Sequence, residues 1–243
     1  MLRRSVAAAI ALVGALGTGC ASVSHVQTAD TLGEGRFQFA FEPGVGGAAL
    51  VGGSESGVVS AYYPHVDMSL RYGVTDQVDL GVRLGSSLAE LQSKFLLTQP
   101  SDPLKAISLA PSVSGAFFGA SSDEVAWSYL NVSVPVLLGF KSRGGSELVL
   151  GPRVMWTRLA GEVADENAAI NIISVGASVG YAIRVTEGFR LMPEVAYSMP
   201  VIGEVSARRS SSEALSGFAG GIAQFKLGFL FGAGRPIWRG DGT

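Results

Sequence analysis

Over residues 65–95 the chain alternates apolar and polar positions with a period of two. Val66, Met68, Leu70 and Tyr72 form one apolar series, and Val78, Leu80, Val82 and Leu84 form another beyond a turn at residues 73–77. Asp67, Ser69 and Arg71, then Asp79, Gly81 and Arg83, fill the positions between. Successive side chains on a strand point to opposite faces, so this spacing predicts an antiparallel hairpin with one aliphatic face and one face of mixed charge.

The alternation recurs down the chain. Residues 36–42 predict a strand with Phe37, Phe39 and Phe41 on one side, ended by Pro43 and followed by a glycine-rich loop over residues 44–57. Further strands are predicted within residues 89–97, 107–117, 129–140, 148–157, 173–184, 189–198 and 224–231. The expected fold is therefore all-β, a single up-and-down antiparallel transmembrane β-barrel of about ten strands, with eight to twelve within range of the pattern. A tilted strand requires ~9–11 residues to cross a bilayer, and these runs are near or above that length. Pro111, Pro135, Pro152 and Pro193 fall within strands and predict local bulges, because each removes a ladder donor. Short connections at residues 73–77, 100–103, 143–146 and 186–188 alternate with mostly longer ones at 44–57, 119–124, 161–169 and 203–216. Outer-membrane barrels carry this rhythm; the short turn at 85–87 is out of step with it.

The polar face carries Asp67, Arg71, Asp79, Arg83, Glu90, Lys94, Arg153, Arg184, Arg190, Glu194 and Lys226. In a lumen such groups pair with one another, whereas a charge facing lipid at the midplane costs roughly 2–4 kcal/mol. Eight strands are just filled by side chains and open aqueous channels need roughly 16–18, so the expected interior is plugged or very narrow. Basic groups outnumber acidic ones in that set, which favours anions. Tyr72, Phe140, Phe189 and Phe231 fall near the short turns, and Phe117, Trp127 and Trp156 towards the loops, as two interfacial girdles require. Alternation alone leaves open the reverse arrangement, a lipid-anchored periplasmic soluble β-barrel with its apolar face inward around an apolar ligand.

Composition narrows the classes. Hydrophobic residues make up 47% and charged residues 16% of the chain, the latter below the quarter usual in soluble domains. Mean hydropathy is +0.35. No internal run reaches the ~20 apolar residues of a membrane helix, so the apolar content is interleaved as it is in barrels. A net charge of −2 with no basic stripe argues against nucleic acid as a partner.

The N-terminus reads as an address. Arg3 and Arg4 precede an apolar stretch, and Gly17, Thr18 and Gly19 lead into Cys20, the single cysteine. This ending resembles a bacterial lipoprotein signal, which implies acylation of Cys20 by palmitate-type lipid; Ala21 after it fits sorting to the outer membrane. The expected division is a signal peptide at 1–19, a lipidated N-terminal linker at 20–34, a β-barrel at 35–232 and a C-terminal tail at 233–243. Over residues 35–232 the chain resembles small outer-membrane β-barrel proteins of Gram-negative bacteria. Gly228, Phe229, Leu230 and Phe231 look like the terminal signal read by the barrel assembly machinery, with twelve residues following. The resemblance implies outer-membrane lipid and that machinery as partners, and residence in the outer membrane. The loop rhythm puts both termini on the periplasmic, short-turn side, where a lipid on Cys20 reaches the inner leaflet.

Some barrels are enzymes, and His65, Asp67 and Ser69 share one strand face. Residues two apart on a strand are neighbours, not a base held by an acid and aimed at a nucleophile. No catalytic residue is assigned, and no cofactor or metal site has ligand spacing. The leading reading is a non-enzymatic outer-membrane β-barrel, structural or interaction-bearing, with a narrow anion-preferring pore as its transport version. The third reading, after the apolar-ligand barrel, is a lipid-modifying barrel enzyme using His65 and Ser69.

Overall fold

The computed structural model describes residues 23–51, 58–85, 89–100, 102–119, 125–163, 166–207, 210–214 and 219–232. Thirteen strand segments run in chain order: β1 (Phe37–Val51), β2 (Val58–Gly73), β3 (Val78–Gly85), β4 (Ala89–Leu96), β5 (Lys105–Leu109), β6 (Ser112–Gly119), β7 (Val125–Lys141), β8 (Glu147–Leu150), β9 (Arg153–Val163), β10 (Glu166–Arg184), β11 (Phe189–Ala207), β12 (Ser210–Ala214) and β13 (Ala219–Phe231). Segments β5 and β6 are two halves of one stave, as are β8 and β9, and β12 is a short flap folded back on β11. Ten staves result, all paired antiparallel, and β1 closes the barrel against β13 through Phe39 opposite Phe231. Closure leaves no unpaired edge around the wall, the condition that lets a sheet sit in lipid.

Alternation sets the two faces as the residue pattern requires. Along β2, Met68 and Leu70 are 48% and 47% exposed, while Asp67 and Arg71 on either side of them are 3% and 2% exposed. Other strands repeat the arrangement: Val82, Leu84, Val134, Val154, Val179, Val195 and Phe225 face out, and Arg83, Ser133, Arg153, Ser178, Glu194 and Lys226 face in. The apolar outer face with a charged interior is the inverse of a soluble protein's surface. An apolar-lined ligand cavity has no place in such a barrel.

Two of the four strand prolines break a stave and two do not. Pro111 separates β5 from β6 and Pro152 separates β8 from β9, whereas Pro135 and Pro193 lie inside continuous strands. Pro111, Pro135 and Pro152 still accept through their carbonyls, from Ser93 at 3.0 Å, Ala110 at 3.0 Å and Val136 at 2.9 Å. Each missing N–H is thus a single lost donor in a ladder that otherwise holds.

Three expected loops are strand over their described residues. β1 continues through Pro43 and the glycines to Val51, because large lumen side chains lie over Gly44 and Gly46. A Cβ at Gly44 would come within 2.8 Å of Lys226 Cγ and 2.9 Å of His65 Cε1, so these glycines make room rather than make a loop. Residues 161–169 fall mostly in β9 and β10, which run on to Val163 and from Glu166. Residues 203–216 include the end of β11 and its partner β12.

Candidate functional site: a lumen filled by the chain's own N-terminal segment

Residues 23–32, part of the expected linker, run inside the barrel. Val23, Ser24, His25, Val26, Gln27, Thr28, Ala29, Thr31 and Leu32 are all buried. The segment turns into β1 at the mouth ringed by the short turns. Gly33 and Gly35 take φ of 86° and 73° there, a left-handed backbone that glycine adopts without strain, and Gly35 N–H donates to Gly73 O at 2.8 Å. At the same mouth Thr31 Oγ1 donates to Asp76 O at 2.8 Å. The other end lies deeper: Val23 N–H donates to Gln224 Oε1 at 2.9 Å, and Gln224 sits roughly 24 Å along β13 from Phe231.

An extended peptide carries donors and acceptors that nothing in its own backbone satisfies, and here charged lumen side chains satisfy them. Glu194 accepts from Ser24 Oγ at 2.7 Å and from His25 N–H at 3.1 Å. Glu147 accepts from Ala29 N–H at 2.8 Å, and Asp79 from Leu32 N–H at 3.0 Å. In the other sense, Arg71 donates to Val26 O and Gln27 Oε1, both at 3.2 Å. Arg83 donates to Ser24 O at 2.7 Å, and Lys94 to Thr28 O at 3.2 Å and Asp30 O at 2.7 Å. Acids take the segment's amides and bases take its carbonyls, so the mixed charge of the inner wall suits a peptide backbone.

The same groups pair with one another. Lys226 bonds Asp67 and lies 3.3 Å from Glu42; Arg83 lies 2.5 Å from Glu90 and 3.8 Å from Glu42; Lys94 lies 3.0 Å from Asp79. Ion pairs of this kind hold only with good geometry and additional hydrogen bonds, and the segment supplies those bonds. Apolar side chains of the segment fill the gaps: Val26 and Ala29 pack with Leu137, Val149, Met192 and Leu230, and Val23 packs with Met155 and Ala196.

Of the eleven expected lumen charges, nine are buried inside: Asp67, Arg71, Asp79, Arg83, Glu90, Lys94, Arg153, Glu194 and Lys226. Arg190 lies 3.9 Å from Glu147, and Arg184 turns to Glu187 at 3.4 Å, outside the packed interior. The basic excess does not survive. Glu42 and Glu147, absent from the expected set, are buried at 1% and 2% exposure and join the acids. Among the described residues, six bases (Arg71, Arg83, Lys94, Arg153, Arg190, Lys226) then face six acids (Glu42, Asp67, Asp79, Glu90, Glu147, Glu194). Glu42 was legible, since it shares β1's polar face with Gln38 and Ala40; Glu147 sits at a strand start where the period had not begun.

The His65, Asp67 and Ser69 set is not assembled. Asp67 is engaged by Lys226, Ser69 Oγ donates to Glu42 at 3.0 Å, and neither ring nitrogen of His65 has a hydrogen-bond partner. Of the expected girdle residues, Tyr72, Phe140 and Phe231 face outward near the short turns. The side chains of Phe117 and Trp127 lie outside the described ones, as do Cys20, the signal residues and residues 233–243.

No protein-family model matches the chain, and no curated protein matches it by sequence. Among solved structures, it is similar to the outer membrane protease OmpT from Escherichia coli, at 9% identity over 87% of this chain and 100% of that one, with a TM-score of 0.46. It is also similar to Neisserial surface protein A, at 11% identity over 79% and 96% of the two chains, TM-score 0.40. A third is Ail, the attachment invasion locus protein of Yersinia pestis, at 10% identity over 82% and 99%, TM-score 0.37. Identities and scores at this level bring no functional detail from those proteins to this chain.

Proposed function

We propose that this chain is a non-enzymatic outer-membrane β-barrel, structural or interaction-bearing, whose lumen is kept closed by its own residues 23–32. The observation that carries this reading is the inversion of its two faces: strands that bury Asp67, Arg83 and Lys226 expose Met68, Val82 and Phe225. In water such a surface aggregates; in a bilayer it is solvated. Urea or carbonate extraction of membranes expressing the chain is expected to leave it in the membrane fraction, with heat-modifiable gel migration. Release by urea overturns the reading.

Any pore is a property of the emptied barrel, and the expected anion preference is not part of it. Six bases balanced by six acids give no standing preference, and the segment occupies the path. Planar bilayers are expected to show no discrete channels with the intact chain, and channels after deletion of residues 23–32. Lipidation of Cys20 is retained as a proposal, with its position revised. Three residues of chain reach at most about 10 Å, and Val23 is the end of the segment farther from the short-turn mouth. A lipid on Cys20 is therefore not set to reach the leaflet beside the short turns. Intact mass of the purified protein, compared with Cys20→Ser, tests the acylation itself.

A further inference from the structure

The wall's grip on residues 23–32 falls on the main chain. The amides of Val23, His25, Ala29 and Leu32 and the carbonyls of Ser24, Val26, Thr28 and Asp30 all bond to lumen side chains. The carbonyl of Ser24 takes two such donors, Arg83 at 2.7 Å and Lys226 at 3.3 Å. The segment's own side chains are served less well. Neither ring nitrogen of His25 has a hydrogen-bond partner, with Nε2 4.0 Å from Glu90, and Gln27 Nε2 has none either. Ser24 Oγ and Gln27 Oε1 make side-chain bonds inside the lumen, while Asp30 and Thr31 make theirs at the mouth. Every peptide carries the same amides and carbonyls, so the feature the wall holds is an extended backbone.

Two glycines of the wall set the size of what that backbone carries. An added Cβ at Gly139 would come within 2.7 Å of Ala29 Cβ, and one at Gly228 would collide with Val26 Cγ1. Val26 and Ala29 are 2% and 0% exposed, so both seats are filled by small side chains three residues apart. Covalent attachment adds only the turn from Gly33 to Gly35, in which Glu34 and Gly35 are exposed. A short tether raises a ligand's local concentration to about millimolar without adding a contact. We propose that the lumen wall is a polypeptide-binding site: residues 23–32 are its resident ligand, and an extended peptide with small residues at the two seats takes the same place when supplied in trans. Such a peptide enters amino end first from the short-turn mouth, because Thr31 lies at that mouth and Val23 deeper. The site rests on the closed-lumen reading and adds a partner to it.

The test uses the full chain folded in detergent micelles, with a protease site inserted after the exposed Glu34. Cleavage after folding removes the tether. A fluorescent synthetic peptide of residues 23–32 is expected to exchange into the cleaved barrel, seen as a rise in anisotropy, and to bind the uncut barrel far more weakly. N-methylation of the peptide at Ala29, whose amide donates to Glu147, is expected to weaken binding roughly ten- to hundredfold, the worth of a hydrogen bond to a charged group. N-methylation at Gln27, whose amide makes none of the bonds above, is expected to weaken it far less. If the cleaved barrel does not stay folded, the uncut chain decides: in a Cys20→Ser/Thr28→Cys protein, the peptide at about millimolar concentration is expected to displace the resident segment and speed maleimide labelling several-fold. No uptake by a folded cleaved barrel, equal losses from the two methylated peptides, or an unchanged thiol in the uncut chain overturns the proposal and leaves a fixed plug. Labelling without peptide and membrane extraction are read separately, so failure of the site and failure of the closed-barrel reading are distinguishable.

Discussion

On the wall formed by β1, β2, β3 and β13, Lys226 meets Asp67 and Glu42, and Arg83 meets Glu42, Glu90 and the carbonyl of Ser24. Across the lumen, β6, β7 and β9 present Ser112, Ser133 and Arg153, and the one bond among these donors is from Arg153 to Ser178. Both walls come from the same alternating pattern and are equally buried. They differ in whether the N-terminal segment and an opposite charge reach them. Burial of a charge is thus a consequence of the barrel's outside, while settlement of that charge is a separate matter decided by what fills the inside.

The settled wall breaks hardest. Lys226→Met leaves Asp67 buried without its cation and Glu42 with Arg83 alone at 3.8 Å, and removal of one partner of a buried pair costs about 3–5 kcal/mol. Urea unfolding in micelles measures it; a loss under 1 kcal/mol would mean that the two carboxylates find water or protons at little cost. Next comes the outer face. Leu70→Arg, one residue from the buried Arg71, is expected to cost roughly 2–4 kcal/mol if Leu70 lies near the bilayer midplane. The contrast between a tolerated Arg71 and a costly Arg at position 70 is the inversion stated as a measurement, and equal unfolding midpoints would remove it.

A smaller effect is expected from Glu147→Gln. It keeps an acceptor for the Ala29 amide but removes the charge that meets Arg190, for a loss of roughly 1–3 kcal/mol. Hydrogen exchange should then quicken at Ala29 more than at Leu32, whose amide is held by Asp79. The smallest lies outside the barrel wall. Asp102 accepts from the backbone N–H groups of Leu104 and Lys105, which hold its carboxyl below the usual range. A lowered carboxyl pKa gives stability that is full above the unfolded value and lost as pH falls through the folded one. Asp102→Asn should therefore flatten the acid limb of the stability profile slightly, and an unchanged limb would show the turn is not coupled to the fold.

How much of this was readable from residues differs between wall and filling. The two faces of residues 65–84 are given by alternation alone, because a strand's period is local and fixed. Ten staves follow from repeating it, and the turn positions from Gly, Pro and Asp. The glycines at 44 and 46 misled, since their local preference suggests a loop while their role is set by Tyr63, His65 and Lys226 on other strands. The segment at residues 23–32 was hidden for a deeper reason. It has no regular period because its amides and carbonyls are met by side chains from β2, β3, β4, β8, β11 and β13, partners scattered over the whole chain. Two hints existed. The stretch contains neither glycine nor proline, and a lumen with eleven expected charges calls for something polar to solvate them.

The filled lumen is tested most directly by thiol accessibility. In a Cys20→Ser background, which removes the chain's only cysteine, Thr28→Cys places a thiol at a position 3% exposed within the lumen. Thr75→Cys places one on the exposed turn between β2 and β3 as a control. With residues 23–32 inside the barrel, a maleimide added to the folded protein in micelles modifies Cys at position 75 promptly and spares position 28 until the barrel is unfolded. Equal labelling of both positions in the folded protein contradicts the account.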